Sequence, residues 1–293
     1  MTRHLLALVL LAVACSKPPA ASSTTTPDAK PTAAVADELP KAEVVLALAV
    51  DAAGGKAAHD ALGSYYSESR MEIPSQGLAA DSRLWWEKDK FYMEVDMPGV
   101  GLSRIWCDGT AVISEDPVNG RRTLEGREAT QSRWAASVSL AHDWAKFFTT
   151  ATTVGRRQAD GRQLIDVKLV GADDVEVVLS FDEASHLLSS QKFSQQSPMG
   201  AMPVEVAVTE YKPYAGLQQA ARTEMRIALF TAITTMTKFD ANIDIDDSKF
   251  VPAAPTAVPP PKVDPVPGVR QSTSVRGAKS RTKASSKADV KPE

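Results

Sequence analysis

Beyond residue 64 the dominant pattern is alternation with a period of two. In the run Tyr65 to Ile73, Tyr65, Met71 and Ile73 oppose Tyr66, Glu68, Arg70 and Glu72; in Phe91 to Met97, Phe91, Met93, Val95 and Met97 oppose Tyr92, Glu94 and Asp96. A strand sends successive side chains to opposite faces, so each run reads as a strand with one apolar and one wet face. Asp89-Lys90, Asp108-Gly109, Asn119-Gly120, Asp160-Gly161 and Pro213 to Gly216 punctuate the runs with turn residues. Further strands are expected at Leu164 to Val170, Val175 to Phe181, Leu187 to Phe193, Val204 to Tyr211, Gln218 to Phe230 and Thr234 to Asp246. Hairpin follows hairpin, which commits the chain to antiparallel sheet.

Two stretches break the pattern. Ala42 to Leu62 reads as helix, with Val44, Val45, Leu48 and Ala49 at helical spacing and an interruption at Gly54-Gly55. Arg127 to Thr149 contains no Gly or Pro and sets Trp134, Val138, Ala141, Ala145 and Phe148 on one stripe, so the spacing predicts one amphipathic helix over the sheet. A sheet of about ten twisted strands curls, and its apolar face then encloses a packed core or a ligand cavity. In the cavity reading the lining is Met71, Ile73, Leu84, Trp86, Met93, Val95, Ile165 and Val167. Methionine suits either interior, being flexible enough to fill irregular space.

The two ends differ from the middle. Arg3 and the apolar run Leu5 to Val13 form a signal peptide, 1–14, far shorter than the about 18 residues of a spanning helix. Leu11-Ala12-Val13-Ala14-Cys15 resembles a bacterial lipobox, in which the cysteine is lipidated, so Cys15 is the expected membrane anchor. Residues 15–40, rich in Pro, Ala, Ser and Thr, then form a flexible tether. The domain occupies 41–252. Residues 253–293 lack aromatics, hold seven prolines, and carry eight basic against three acidic side chains. That net of +5 leaves −8 on residues 1–252 of a chain whose total is −3. A disordered basic tail is expected, attracted to an anionic envelope polymer or surface. Nucleic acid is not an expected partner, because no aromatic side chains are interleaved for base stacking. With Cys15 lipidated, Cys107 is the remaining thiol, and its strand-like setting reads as a small buried hydrophobe.

The 43% hydrophobic and 24% charged composition excludes a wholly disordered chain and a multi-span membrane protein. Chemistry is harder to find. Asp240, Asn242, Asp244, Asp246 and Asp247 resemble a calcium loop, but Ile245 stands where Gly is needed and Val251 where a bidentate Glu is needed. The alternation reads more simply as the last strand. Gly99-Val100-Gly101 lacks the third glycine of a dinucleotide turn, and Ser189 to Lys192 lies in a strand without a Lys-Thr-Gly partner. His59, His142 and His186 form no metal motif. The expectation is no enzyme, no cofactor and no metal; the sequence leaves oligomeric state open.

Together, Gly54-Gly55 before the first strand, Asp116 to Gly126, Trp144-Ala145-Lys146-Phe147-Phe148, Pro198 to Pro203, Glu210-Tyr211 and Asp246 to Pro252 resemble the outer-membrane lipoprotein-sorting domains related to LolA and LolB. The likeness covers Lys41 to Pro252. It implies a mainly β (α+β) fold, an open antiparallel β-barrel with helices filling its mouth, and a cavity for lipid or lipoprotein acyl chains. It further implies an envelope lipoprotein, in the outer membrane and facing the periplasm. The competing expectation is a structural envelope protein with a filled core, whose tail contacts anionic surfaces.

Overall fold

The computed structural model describes residues 38–197, 200–227 and 230–253. The predicted signal peptide, Cys15 and the tether to residue 37, and the tail from residue 254 lie outside the described residues.

Six strands come first: β1 (Ser64–Ile73), β2 (Leu78–Glu87), β3 (Lys90–Met97), β4 (Gly101–Cys107), β5 (Val112–Asp116) and β6 (Gly120–Leu124). Seven follow the helical interruption: β7 (Phe148–Ala159), β8 (Arg162–Gly171), β9 (Glu176–Asp182), β10 (Leu188–Ser197), β11 (Gly200–Tyr214), β12 (Leu217–Ile227) and β13 (Phe230–Ala241). All thirteen join one antiparallel sheet in the order β6-β5-β4-β3-β2-β1-β13-β12-β11-β10-β9-β8-β7. Thirteen corrects the expected ten or so. β7 hides best: its Thr-rich run favours pleated backbone, but its mostly exposed and half-buried side chains give no apolar alternation.

Four helices replace the expected two: α1 (Ala42–Ala52), α2 (Lys56–Ala61), α3 (Gly126–Ala135) and α4 (Leu140–Phe147). The single helix predicted over 127–149 is broken at residues 136–139, where the Ser139 hydroxyl accepts from the His142 amide at 3.3 Å and starts a new helix. In α1 the buried stripe is Ala42, Val45, Leu46, Ala49 and Val50. Val44 and Leu48, which share the helical spacing of Val45 and Ala49, are 49% and 40% exposed. α1 is apolar almost all round, so spacing alone does not choose its buried face.

The two edge strands, β6 and β7, are neighbours in sequence but not in the sheet, and α3 and α4 connect them. Ala129 of α3 packs on the cluster of Phe91, Cys107, Val112 and Leu124 in β3 to β6. The same helix places Trp134 edge-on to Phe193 of β10, with ring centroids 5.1 Å apart. On a flat sheet β4 and β10, seven places apart in the order, would be about 34 Å from each other. A ten-residue helix is about 15 Å long. One helix therefore touches both regions only because the sheet curls around it. The curled sheet is not closed into a barrel: β6 and β7 are its two edges among the described residues, and α3 packs against its concave face.

Beyond β13 the chain does not continue as the strand expected to Asp246. It turns at Asn242, whose φ is +53°, and crosses the outer face. There Phe250, 1% exposed, packs with Tyr92 and Trp106, with Ile245 and Trp85 alongside. Asp246 caps the short turn Asp247–Phe250 by accepting from the Ser248 amide at 2.8 Å.

Candidate functional site

Beside α1 and the α3–α4 connection lies a partly open cavity of about 200 Å³, lined by Leu179 and Phe181 of β9, Val206 and Val208 of β11, Gln218 and Gln219 of β12, and Trp134, His59 and Ala49 from the helices. A neighbouring cleft of about 930 Å³ is bounded by Leu62, Trp86, Phe91, Thr130, Arg133 and Phe147. His59, Ser137, Val138 and Ser139 line both, so these four residues form the partition.

The partition is held by local bonds. Tyr65 of β1 donates to the Ala136 carbonyl at 3.3 Å, fixing the end of α3. Burial pushes the Tyr65 phenol far above its ordinary range, so it stays a donor. The His59 ring stacks on His142 at 5.0 Å, 14° from parallel, and its Nδ1 lies 3.0 Å from the Gly55 carbonyl oxygen. The His142 nitrogens lie 2.9 Å from an Asp143 oxygen and 3.1 Å from an Asp60 oxygen. Asp143 also accepts from the Ser137 hydroxyl at 2.7 Å and pairs with Lys146 at 3.0 Å. Burial alone would raise the Asp143 carboxyl, but the bonds from Ser137, Lys146 and His142 win and hold it below the usual carboxylate range. Asp60 is lowered chiefly by its pair with Lys56.

Charge is distributed unevenly between the two spaces. The cleft wall carries Asp60, Lys88, Asp89, Arg133, Asp143 and Lys146. Among the described residues lining the smaller cavity there is no Lys, Arg, Asp or Glu. Two buried polar atoms of that lining, His59 Nε2 and Trp134 Nε1, have no hydrogen-bond partner among the described residues.

The eight residues expected to line the interior are dispersed. Ile165 and Val167 are buried in the core cluster under α1 and α4, and Ile73 is buried at the end of β1. Leu84 packs beside Trp86 near Phe91, and Trp86 lines the cleft. Met71, Met93 and Val95 are half-buried, paired in register with Ala80, Leu84 and Ser82. None of these three borders the cavity or the cleft. Sequence reasoning missed His59, Trp134 and the 137–139 connection as lining. Leu179 and Phe181 were within reach, since β9 alternates as plainly as β3. Cys107 is fully buried, its thiol 3.5 Å from the Asp89 carbonyl oxygen and raised by desolvation, as expected of a packed thiol.

No protein-family model matches the chain, and no curated protein matches it. Among solved structures it is similar to a LolA superfamily protein from Nitrosomonas europaea, with 15% identity, a TM-score of 0.51, and coverage of 73% of this chain and 99% of that one. The fold is LolA/LolB-like. A DUF1329 family protein from Desulfovibrio piger aligns at 12% identity and a TM-score of 0.49, over 73% of this chain and 98% of its own. The LolA-like assignment rests on the Nitrosomonas structure and concerns architecture alone. The mainly β, antiparallel architecture with helices against the sheet agrees with what the sequence resemblance implies, whereas the sheet is not closed into a barrel and has more strands and helices than expected. No helix among the described residues is long and apolar enough to cross a membrane.

Proposed function

We propose that this chain is a membrane-anchored bacterial envelope lipoprotein that binds an apolar ligand, a lipid or acyl chain, inside its LolA-like barrel, and that it acts as a binder and not as an enzyme. The observation that carries this reading is the uncharged cavity beside the cleft, separated by four residues. About 200 Å³ is below the range of about 300–1,000 Å³ typical of small-molecule sites, whereas the cleft lies within it. A chain-like ligand uses both by passing the 137–139 connection, with its apolar part shielded and its exposed end among the charges of the cleft.

Cys15, lipidated, would tether the domain to the outer membrane on its periplasmic side, and the basic tail would meet an anionic envelope polymer. Both assignments rest on sequence composition.

Uptake of a fluorescent long-chain fatty acid by the full chain tests the reading. Val208→Phe adds bulk to the cavity without charge, so uptake should fall several-fold while the melting temperature stays within a few degrees. Undiminished uptake by the variant, or none by the parent, contradicts the proposal; the latter leaves a filled scaffold for protein or polymer partners.

A further inference from the structure

One imidazole at the wall of the cleft has a carboxylate on each side. His142 Nδ1 lies 2.9 Å from Asp143 Oδ1, and its Nε2 lies 3.1 Å from Asp60 Oδ1. Asp143 accepts from the Ser137 hydroxyl on its other oxygen and pairs with Lys146, while Asp60 Oδ2 takes the Lys56 ammonium. Both carboxyls are held below their ordinary value, so both are ionised and only accept. Each ring nitrogen must then donate, which the imidazolium alone can do. The bridge joins α2, which carries Asp60, to α4, which carries His142 and Asp143, and through Ser137 it reaches the α3–α4 connection. His59 and residues 137–139 on those elements are the partition between cavity and cleft. The remaining titratable or charged groups around the ring are His59, stacked on it at 5.0 Å, and Lys88, Asp89 and Arg133 on the cleft wall.

We propose that Asp60, His142 and Asp143 form a proton-operated latch on this partition: the doubly protonated ring holds α2 to α4 and shuts the passage between cavity and cleft, and loss of one ring proton opens it to an apolar ligand. The proton that leaves is the one on Nε2. Asp60 is 48% exposed and Asp143 10%, so the bond to Asp143 is the better sheltered, and Nδ1 keeps its proton. The Nε2 proton passes to water, since the His142 side chain is 20% exposed. A bare nitrogen then faces a carboxylate oxygen, acceptor against acceptor, and Asp60 swings away with Lys56. The latch rests on the apolar-ligand reading and adds control of entry to it.

Stopped-flow uptake of N-phenyl-1-naphthylamine, an apolar probe that stays uncharged, tests the latch in the full chain at about pH 5.5 and about pH 8.5, on either side of the ordinary imidazole value of about 6.5. Uptake should be several-fold faster at the higher pH. His142→Ala removes the bridge and should make uptake fast and equal at both. Asp60→Asn supplies an amide N–H that a neutral ring's bare Nε2 can accept, so uptake should stay slow at both. A merely structural role would move the two variants in the same direction. Equal uptake rates by the parent at the two pH values, or an Asp60→Asn variant as fast as His142→Ala, would overturn the latch and leave apolar binding standing. No uptake at either pH would overturn the apolar-ligand reading and the latch together. If a variant fails to fold, nitrogen NMR of the His142 ring in the parent decides: two protonated nitrogens at about pH 5.5 and a bare Nε2 at about pH 8.5 support the latch, and a bare nitrogen at both overturns it.

Discussion

His59 and Asp143 stand on either side of one imidazole, His142, and illustrate opposite fates of a buried polar group. Among the described residues His59 keeps one nitrogen unpaired, whereas Asp143 receives bonds from Ser137, Lys146 and His142. Because the Asp143 carboxyl titrates below its unfolded value of 3.8, its stabilising contribution is complete above that pH and is lost as pH falls through the lower folded value. Asp143→Asn should therefore cost about 1–2 kcal/mol at pH 7, and thermal melts should show the gap between variant and parent narrowing by pH 3. An equal gap at both pH values would contradict this account. The residue scale was the least legible in the sequence. His59 sits in Lys56-Ala57-Ala58-His59-Asp60, which signals a short helix but not what the ring faces. Its meaning comes from His142, 83 positions away in the chain, and from the Gly55 carbonyl.

Among the elements, the crossing segment after β13 shows how a correct period can mislead. Ile243 and Ile245 do alternate with Asp244 and Asp246, yet Ile245 packs on the outer face and no ladder pairs these residues. That face carries a row of rings across β1 to β4, Tyr66, Trp85, Tyr92 and Trp106, spaced 4.8 to 5.4 Å centroid to centroid. Lys249 lies 3.7 Å from the Trp85 ring centroid and Lys90 4.9 Å from that of Phe250. The segment closes a second small core on the side of the sheet away from the cavity. Phe250→Ala should cost about 3–5 kcal/mol in urea unfolding; a loss under about 1 kcal/mol, ordinary for a surface site, would show that the segment is merely laid on the sheet. The division of Arg127 to Thr149 has a similar origin. Its apolar stripe is real, but the Ser139 hydroxyl takes the His142 amide and starts a new helix, while the Ser137 hydroxyl is turned to the Asp143 carboxylate.

At the scale of the molecule, the hairpin pattern and the switch of period predict sheet and helices correctly, because both depend on near neighbours. Curl, strand number and cavity position depend on what meets across the sheet, as when α3 reaches from β4 to β10. That is why the expected lining spread over both halves of the sheet, while the cavity is bounded by residues of β9 to β12, α1, α2 and α3–α4. Met71, Met93 and Val95 share the inward face without sharing the cavity. The central claim is that the helices against the curled sheet shelter an apolar ligand. Native mass spectrometry of the full chain after mild extraction from its membrane tests it most directly. The account predicts a population heavier than the processed, lipidated protein by the mass of one lipid, lost on delipidation and regained on adding a long-chain fatty acid. A single ligand-free mass before and after such addition would contradict it.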